Sequence, residues 1–371
     1  MFLENIQIIN FKNYSDLKLS FSSGLNCFLG LNGAGKTNFL DAIYYLSLFK
    51  SAFNHVDQQL IRYKEPFFKV EGVFKIEEKR YKIHASLKSG EKKSIRCNDV
   101  EYPKIAEHLG LFPVVMITPY DVDLIRDGSE DRRRFVDSII SQTDKEYLEY
   151  LMAYNHYLKQ RNALIKQFFE KHSVDYAQIE PYNVRLISLA KKIYQKRNQF
   201  IAVFEPIFQQ YYTTLTLDNE KVTLHYSSSV AEMDYENLFL QNFEKDYHLQ
   251  RTSMGVHTDD FEFKVNDFGL KKFGSQGQQK SYVIALKLAM FSYMQDKLQI
   301  TPILLLDDIF DKLDEQRIKK LISITSQAPF KQLFITDARP ERTQQILAEL
   351  NIEANYFYVE NGEVSELRVE N

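Results

Sequence analysis

The sequence predicts an α/β fold built around a phosphate-binding loop, with an added antiparallel β region and an inserted helical lobe. Residues 25–29 form a strand pattern that runs into a glycine-rich loop, and apolar residues at helical spacing follow it (Phe39, Leu40, Ile43, Leu46). A long stretch of helical periodicity, from about 137 to 207, then interrupts the strand patterns. We therefore expect an α/β core assembled from both ends of the chain.

Composition excludes several classes of protein. With 371 residues, 44% of them hydrophobic, and only 13 Gly and 9 Pro, the chain can bury a large core and is too apolar to be mainly disordered. No run approaches the ~20 apolar residues that cross a bilayer, and the first residues lack a secretion-signal pattern. Cys27 and Cys97 cannot build a disulfide framework. We expect a soluble, cytoplasmic protein of two or three compact units, without membrane contact.

Charge is unevenly distributed, although the formal net charge is only -3. Residues 62–104 carry 12 Lys/Arg against 7 Asp/Glu, residues 132–210 carry 13 against 8, and residues 211–270 carry 4 against 11. The sequence leaves two interpretations of the basic segments open: solvated faces, or a surface for a polyanion. In the second case the helical segment would supply basic residues interleaved with tyrosines: Arg132, Arg133, Arg134, Lys159, Arg161, Lys166, Lys191, Lys192, Lys196 and Arg197, with Tyr147, Tyr150, Tyr154 and Tyr157.

Periodicity places strands on both sides of the helical segment. Alternating apolar residues predict two strands within 6–21, an antiparallel hairpin or meander at 67–87 and a strand at 261–265. Apolar runs at 303–306 and 333–335 predict buried strands, and Asn361-Gly362 predicts a hairpin turn. Two apolar stripes, the second including Val184, predict two long helices separated near Pro181. The predicted division is a split lobe, 1–112 with 255–371, and an inserted helical lobe at 113–254.

The loop at residues 30–37 fits the phosphate-binding pattern G-x-x-x-x-G-K-[ST]. Its backbone N–H groups would surround phosphate oxygens, Lys36 would reach the β- and γ-phosphates, and Thr37 would hold Mg²⁺. A glycine-rich turn that only caps a helix is the alternative. The expected nucleotide-binding residues are Gly30, Leu31, Asn32, Gly33, Ala34, Gly35, Lys36 and Thr37.

Two carboxylates follow the apolar run at 303–306. Since ligands bind at the carboxyl ends of strands in open α/β sheets, Asp307 is expected to hold the metal ion and Asp308 to orient or activate the attacking water. An Asp pair that caps a helix is the alternative. About 270 residues separate Thr37 from Asp307, which favours a large head-like ATPase built from the two chain ends over a small kinase or GTPase.

A second anion site is predicted at residues 273–280, before a helix expected over 281–294. Ser275 and Gln278 fit the capping box S-x-x-Q, and that local role is the alternative interpretation. The box does not account for Gly274 and Gly277, which would let another backbone approach closely. Because one triphosphate seldom needs two such sites in one chain, this helix start is expected to meet the γ-phosphate bound by a partner subunit.

Together these motifs resemble the ABC-type head ATPases of the SMC class and, within that class, the RecF family. The similarity covers nearly the whole chain. The phosphate loop is common to many ATPases, whereas the arginine stretch at 132–135 and the Gln-rich signature at 275–279 are much more specific. The matching stretches outside the loop are Phe11-Lys12-Asn13-Tyr14, Pro119 to Asp137 with Gly128-Ser129 and Arg132-Arg133-Arg134-Phe135, Lys159-Gln160-Arg161-Asn162, Gly255-Val256-His257-Thr258-Asp259-Asp260, Ser275-Gln276-Gly277-Gln278-Gln279, and Leu306-Asp307-Asp308 with Leu313-Asp314.

The resemblance implies a P-loop NTPase of ABC/SMC head type: an ATP-dependent, DNA-binding ATPase of replication and recombinational repair that uses ATP and Mg²⁺. It also implies a homodimer around two ATP molecules, a loading or mediator role at gapped or single-strand/double-strand junction DNA, and RecO and RecR as partners. The ATP-binding set then gains Lys12, Asn13, Ser275, Gly277 and Gln278. The catalytic set is Lys36, Asp307 and Asp308, and the metal set is Thr37 and Asp307.

The sequence departs from the class at several positions. Asp308 stands where ABC proteins place glutamate, as in RecF-like proteins, which suggests slow hydrolysis. Asp311 stands where Ser usually begins a loop, Thr258 where the family often has Arg, and Thr336-Asp337 where transporters have a switch histidine. The runner-up function is an ABC transporter-type ATPase subunit, and a small-molecule kinase is third. The missing histidine and the basic helical segment count against the former, and the motif separation against the latter.

Overall fold

The computed structural model describes residues 1–216, 220–309 and 314–367. It divides into two compact units: unit 1 is Met1–Asp121 with Ile284–Asn371, and unit 2 is Val122–Val283. These bounds differ from the predicted 113–254, because the strand at 260–265 pairs with a strand of unit 2. Asp311 and Leu313, which were named above for the resemblance to the RecF family, lie outside the described residues.

The first part of unit 1 contains an antiparallel sheet. The elements are β1 (Phe2–Phe11), β2 (Tyr14–Ser20), β3 (Gly24–Leu29), α1 (Lys36–Leu48), β4 (Phe67–Ile76), β5 (Lys79–Lys88), β6 (Ser94–Cys97), β7 (Val100–Glu101) and β8 (Val114–Ile117). The sheet has the order β2-β1-β4-β5-β6-β7. The β1-β2 and β4-β5 pairs are antiparallel, which confirms the hairpins predicted within 6–21 and 67–87.

Unit 2 is mainly helical. Its elements are α2 (Asp123–Arg126), α3 (Ser129–Thr143), α4 (Lys145–Lys171), α5 (Tyr176–Thr216), β9 (Val222–Ser227), α6 (Tyr235–Gln241), α7 (Phe243–Leu249), β10 (Asp260–Val265), β11 (Phe268–Gly269), α8 (Leu270–Phe273) and the start of α9 (Gln276–Leu298). A small sheet has the order β11-β10-β9. Among the described residues, no helix combines the length and apolar character needed to cross a membrane.

The last part of unit 1 completes a second, mostly parallel sheet. Its elements are β12 (Ile303–Leu306), α10 (Glu315–Thr325), β13 (Gln332–Asp337), α11 (Pro340–Glu349), β14 (Ala354–Glu360) and β15 (Glu363–Leu367). The order is β15-β14-β3-β13-β12-β8, with only β15 antiparallel to its neighbour. Because β3 and β12 both lie beside β13 in parallel register, the segments that follow them reach the same edge of the sheet.

Aromatic packing fixes α1 against this sheet. Phe39 on α1 stacks on Phe28 of β3 with ring centroids 4.2 Å apart, and Phe28 stacks on Phe357 of β14 at 4.7 Å. The predicted apolar stripe of α1, from Phe39 to Leu46, is fully buried. Such close packing is costly to distort, so the loop between β3 and α1 is held at both ends.

The boundary between the long helices differs from the prediction. The two helices are separated at residues 172–175, and His172 ends α4 in the left-handed region (φ 50). The Asp175 carboxylate then accepts hydrogen bonds from the N–H groups of Ala177 and Gln178 at the start of α5. Pro181 lies inside α5, because the Asp175 cap has already started the helix and proline removes a single backbone hydrogen bond there. Val184, expected on the apolar stripe, is 60% exposed.

Two of the predicted DNA-facing arginines are buried in unit 2. Arg161 is 0% exposed and pairs with Asp246 at 2.7 Å, while its guanidinium also donates to Asn183. Arg197 is 1% exposed and pairs with Asp137 and Asp259. Removing one partner of such a buried pair is strongly destabilising. Arg161 and Arg197 are therefore structural, and their assignment to a DNA surface is wrong.

Candidate functional site

The glycine loop at residues 30–37 lies at the carboxyl edge of the parallel sheet, directly after β3. Gly30 has φ 153, and a Cβ there would lie 2.2 Å from the carbonyl oxygen of Val359. Gly35 has φ 118, and a Cβ there would lie 2.3 Å from the Asn13 side-chain nitrogen. A larger residue would clash with the β14 backbone at position 30 and with the Asn13 side chain at position 35, and at both positions the positive φ favours glycine. The glycines are thus required by the shape of the loop itself.

The loop leads into α1 with open backbone donors. Gly35 occupies the N-cap in a left-handed conformation, and no described side chain caps this helix start. The first N–H groups of a helix lack intrahelical acceptors, and the helix dipole favours negative charge there. This arrangement can bind an anion such as phosphate.

Lys36 is folded back onto its own loop. Its Nζ donates to the carbonyl oxygens of Gly30 at 2.7 Å and Leu31 at 2.9 Å. Burial lowers the pKa of the Lys36 ammonium, and the nearby carboxylates, Asp308 first, oppose that shift. The ammonium therefore sits at the centre of the loop, where it can exchange carbonyl oxygens for phosphate oxygens.

Thr37 and Asp307 meet across the edge of the sheet. The Thr37 hydroxyl donates to the two carboxylate oxygens of Asp307 at 2.9 and 3.0 Å, and the Thr336 hydroxyl donates to the same carboxylate at 2.8 Å. Burial raises the pKa of Asp307, while the hydrogen bonds from Thr336 and Thr37 oppose the shift. The structure therefore brings together the two residues predicted to hold the metal.

Asp308 follows in an unusual backbone conformation. Its φ is 44, and its N–H donates to the Thr336 hydroxyl at 2.9 Å. Asp308 also lines a cavity of about 230 Å³ with Lys36, Thr37 and Thr336; its other lining residues are Asn32, Gly33, Gly35 and Asn38. Both predicted carboxylates thus border or support one cavity beside the loop.

The chemistry of this cavity fits a phosphate–magnesium ligand. A hydroxyl and a carboxylate are the hard oxygen ligands that Mg²⁺ prefers, and Mg²⁺ is usually completed by water and phosphate oxygens. Within residues 1–216, 220–309 and 314–367, no group of three or more His, Cys, Asp or Glu could hold a metal ion. Thr37 and Asp307 could therefore hold Mg²⁺ together with oxygens of phosphate and water.

Asn13 and Lys12 approach the loop in different ways. The Asn13 amide donates to the Ala34 carbonyl oxygen at 3.2 Å and accepts from Asn38 at 2.7 Å. Lys12 instead forms an ion pair of 2.7 Å with the buried carboxylate of Asp41 on α1. Asn13 thus holds the loop through hydrogen bonds to Ala34 and Asn38. Lys12 is bound to α1, the helix that follows the loop.

Sequence reasoning missed Thr336 as a site residue, together with Asn38 and Asp41. Thr336 could have been found by the rule that identified Asp307, because it too follows a buried run of a predicted strand. Asn38 and Asp41 carry no such signal. Each is a single polar residue on a helix, and only the fold shows what it contacts.

The predicted second anion site lies in unit 2, at the start of α9. This helix begins at Gln276 instead of the expected 281, so Gly277 and Gln278 lie in its first turn. Ser275 and Gln278 form the reciprocal capping box: the Ser275 N–H donates to the Gln278 side chain at 2.8 Å, and the Gln278 N–H donates to the Ser275 hydroxyl at 3.2 Å. The earlier start follows from this box, which satisfies two backbone donors.

Gly274 has a local reason to be glycine. A Cβ at this position would lie 2.4 Å from the Leu270 side chain and 2.7 Å from its carbonyl oxygen. Gln278 makes a further contact within unit 2, because its amide donates to Glu220 at 2.6 Å. Ser275 remains exposed at the tip of this helix start.

Comparison with known proteins agrees with this arrangement. The family model described as RecF/RecN/SMC N terminal domain matches residues 2–356. The DNA replication and repair protein RecF of Cytophaga hutchinsonii is 46% identical over 366 residues, covering 99% of this chain and 97% of the relative. The RecF protein of Bacteroides thetaiotaomicron is 40% identical over 371 residues, covering 100% of both chains.

Solved structures give the same fold. A structure of the recombination mediator protein RecF with ATP in the RecFOR pathway has a TM-score of 0.89 and 28% identity, covering 99% of this chain and 98% of that one. A Pyrococcus furiosus Smc head domain has a TM-score of 0.56 and 17% identity, covering 99% and 96%, which speaks for the fold alone. The predicted P-loop fold of ABC/SMC head type is confirmed. The chain belongs to the RecF family of DNA replication and repair proteins.

Proposed function

We propose that this chain is an ATP-dependent DNA-binding ATPase of replication and recombinational repair. Family membership and the similarity to a RecF structure with ATP support the ATP-binding role. One observation carries the proposal: Thr37 and Asp307, 270 positions apart in the chain, are hydrogen-bonded at 2.9 Å beside the glycine loop. A phosphate loop joined in this way to a strand-end carboxylate is the arrangement that nucleotide hydrolysis needs.

Each residue of the site has a distinct task in this proposal. Lys36 leaves the carbonyl oxygens of its loop and binds the β- and γ-phosphates. Thr37 and Asp307 hold Mg²⁺, which when bound offsets the negative charge of the phosphate oxygens. Asp308 orients the attacking water, and because its side chain is shorter than glutamate we expect slow hydrolysis. Thr336 keeps Asp307 in place through its hydroxyl.

The signature at the start of α9 acts on a second copy of the chain. Ser275, Gly277 and Gln278 would contact the γ-phosphate bound by the partner, so that two ATP molecules lie between two subunits. The exposure of Ser275 and its position at a helix start support this assignment. Lys12 and Asn13 complete the ATP-binding set, Lys12 after release from Asp41.

DNA is the proposed macromolecular partner, in gapped or single-strand/double-strand junction form, with RecO and RecR as protein partners in loading or mediation. The similar structure is that of a recombination mediator protein of the RecFOR pathway, which supports this choice. Because Arg161 and Arg197 are buried, the DNA contacts would come from exposed basic residues of the helical segment, which include Lys159, Lys166 and Lys192. Contacts from such residues to phosphate would make binding salt-dependent.

ATP hydrolysis, measured with and without gapped duplex DNA across a salt series, tests the proposal. We expect slow hydrolysis that DNA stimulates at low salt, with the stimulation falling steeply as salt rises, because counterion release drives phosphate contacts. Lys36→Met provides the background rate. An ABC transporter-type subunit, the alternative function, predicts hydrolysis that ignores DNA at every salt concentration.

A further inference from the structure

An exposed aromatic pair stands directly before the signature helix in unit 2. Phe268 on β11 and Phe273 on α8 are each 63% exposed, and their rings meet edge to face with centroids 5.8 Å apart. The Lys272 ammonium lies over the Phe273 ring at 5.3 Å. Single exposed apolar residues are common on proteins, but two phenyl rings in mutual contact at the surface form a patch that water solvates poorly.

The backbone around this aromatic pair is tightly fixed. The β10-β11 hairpin turns through Asn266 and Asp267, both with positive φ (48 and 68), as a two-residue type I′ turn requires. Leu270, which lies between the two phenylalanines in the chain, has a buried side chain. Only glycine fits at position 274 against this leucine. The rings are therefore presented on a pre-ordered platform, which lowers the entropic cost of binding a partner.

The pair is continuous with the proposed dimer contact. A cavity of about 180 Å³ is lined by Phe268 and Phe273 together with Gly274 and Gln278, which belong to the signature segment; its remaining lining residues are Val265, Asn266 and Leu270. On the opposite half of that proposed contact, Leu31 in the phosphate loop is 73% exposed. Both surfaces that would meet in the dimer thus carry an exposed apolar side chain.

We propose that Phe268 and Phe273 form a docking surface for the phosphate-loop face of a second copy of this chain. This inference rests on the proposed ATP-dependent dimer and adds its apolar contact. In a two-fold dimer the contact occurs twice, so the rings would contribute to both composite sites. ATP binding within one chain does not involve them.

The test is the double variant Phe268→Ser/Phe273→Ser, studied by sedimentation equilibrium with ATP and Mg²⁺. We expect the dimer dissociation constant to rise roughly ten- to a hundredfold, as loss of buried phenyl contacts implies, while the ATP affinity of the dilute monomer stays unchanged. Since both side chains are exposed, the thermal unfolding temperature should not fall. Met233→Ser, a fully exposed apolar residue of unit 2 outside the pair, serves as the matched control and should dimerise normally.

Three outcomes contradict the inference in different ways. A double variant that dimerises as tightly as the unmodified chain removes the docking role and leaves the proposed function intact. A variant that dimerises normally but no longer binds oligothymidylate shows that the rings stack on single-stranded bases instead. An unmodified chain that stays monomeric with ATP and Mg²⁺ overturns the proposed dimer, and the docking surface with it.

Discussion

The starts of α1 and α9 were both predicted to bind phosphate, but they are built differently. The α1 start follows a left-handed glycine and has no side-chain cap among the described residues. The α9 start is closed by Ser275 and Gln278, which occupy each other's backbone donors. The first is open to an anion within one chain, and the second has already satisfied two of its donors.

This difference indicates an order of events. An uncapped helix start has no side-chain cap to displace when phosphate arrives, whereas a capped one must first exchange its own hydrogen bonds for those of the ligand. We infer that nucleotide binds first at the loop of residues 30–37. In the proposed dimer, the α9 start would join only when a second copy presents a phosphate close enough to compete with the Ser275–Gln278 box.

Lys36→Met tests the phosphate loop that leads into the open start of α1. Because the ammonium supplies the central positive charge of the loop, the substitution should weaken ATP binding by at least about a hundredfold and abolish ATP-dependent dimerisation with it. Equilibrium binding of a fluorescent ATP analogue and sedimentation with ATP measure the two effects. Lys18→Met, at an exposed lysine of unit 1, is the control. A Lys36→Met protein that still dimerises with ATP would contradict the proposed link between ATP binding at this loop and dimerisation.

Ser275→Arg acts on the other helix start. A long charged side chain at this exposed position should raise the dimer dissociation constant by more than about tenfold. The monomer should keep its affinity for ATP, because the loop of unit 1 is unchanged. The same two measurements apply. Ser173→Arg, at an exposed serine, controls for added charge. Loss of ATP affinity in the Ser275→Arg monomer would show that this helix start acts within its own chain.

Thr336→Val tests how the open site holds its metal ligand. The substitution keeps the side-chain shape but removes the hydroxyl that donates to Asp307 and accepts from the Asp308 N–H. We expect the Mg²⁺ concentration for half-maximal hydrolysis to rise roughly tenfold, since a hydrogen bond to a charged group contributes about 1.5–3 kcal/mol. Thr325→Val removes a buried helix hydroxyl in the same unit and should not alter it. An unchanged Mg²⁺ dependence in Thr336→Val would contradict the role given to Thr336.

Gln278→Ala has the smallest expected effect. It removes half of the capping box and the bond to Glu220, so urea unfolding should report a loss of about 1 kcal/mol. Gln276→Ala, at an exposed glutamine of the same helix start, should cost less. If the two variants were equally stable, the box seen here would not be what closes the α9 start.

The sequence predicted what depends on local pattern. The loop at 30–37, the strand that ends just before Asp307 and the Ser275–Gln278 box all follow from residue type and spacing, and the structure contains each of them. The start of α9 and the break after His172 were misplaced, because a side-chain cap overrides apolar periodicity at helix ends. Arg161 and Arg197 were misread for another reason. Their acidic partners, including Asp246 and Asp259, are distant in sequence, so only the fold shows that their charge is already paired.

Mixing two inactive variants tests the central claim most directly, namely that the open and the capped helix starts of different chains form one site. In an equimolar mixture of Lys36→Met and Ser275→Arg, each heterodimer holds one composite site with both residues intact. With ATP and Mg²⁺, sedimentation should show heterodimers in the mixture, weaker than the unmodified dimer, and only monomers for either variant alone. A mixture that stays monomeric while the unmodified chain dimerises would contradict the account.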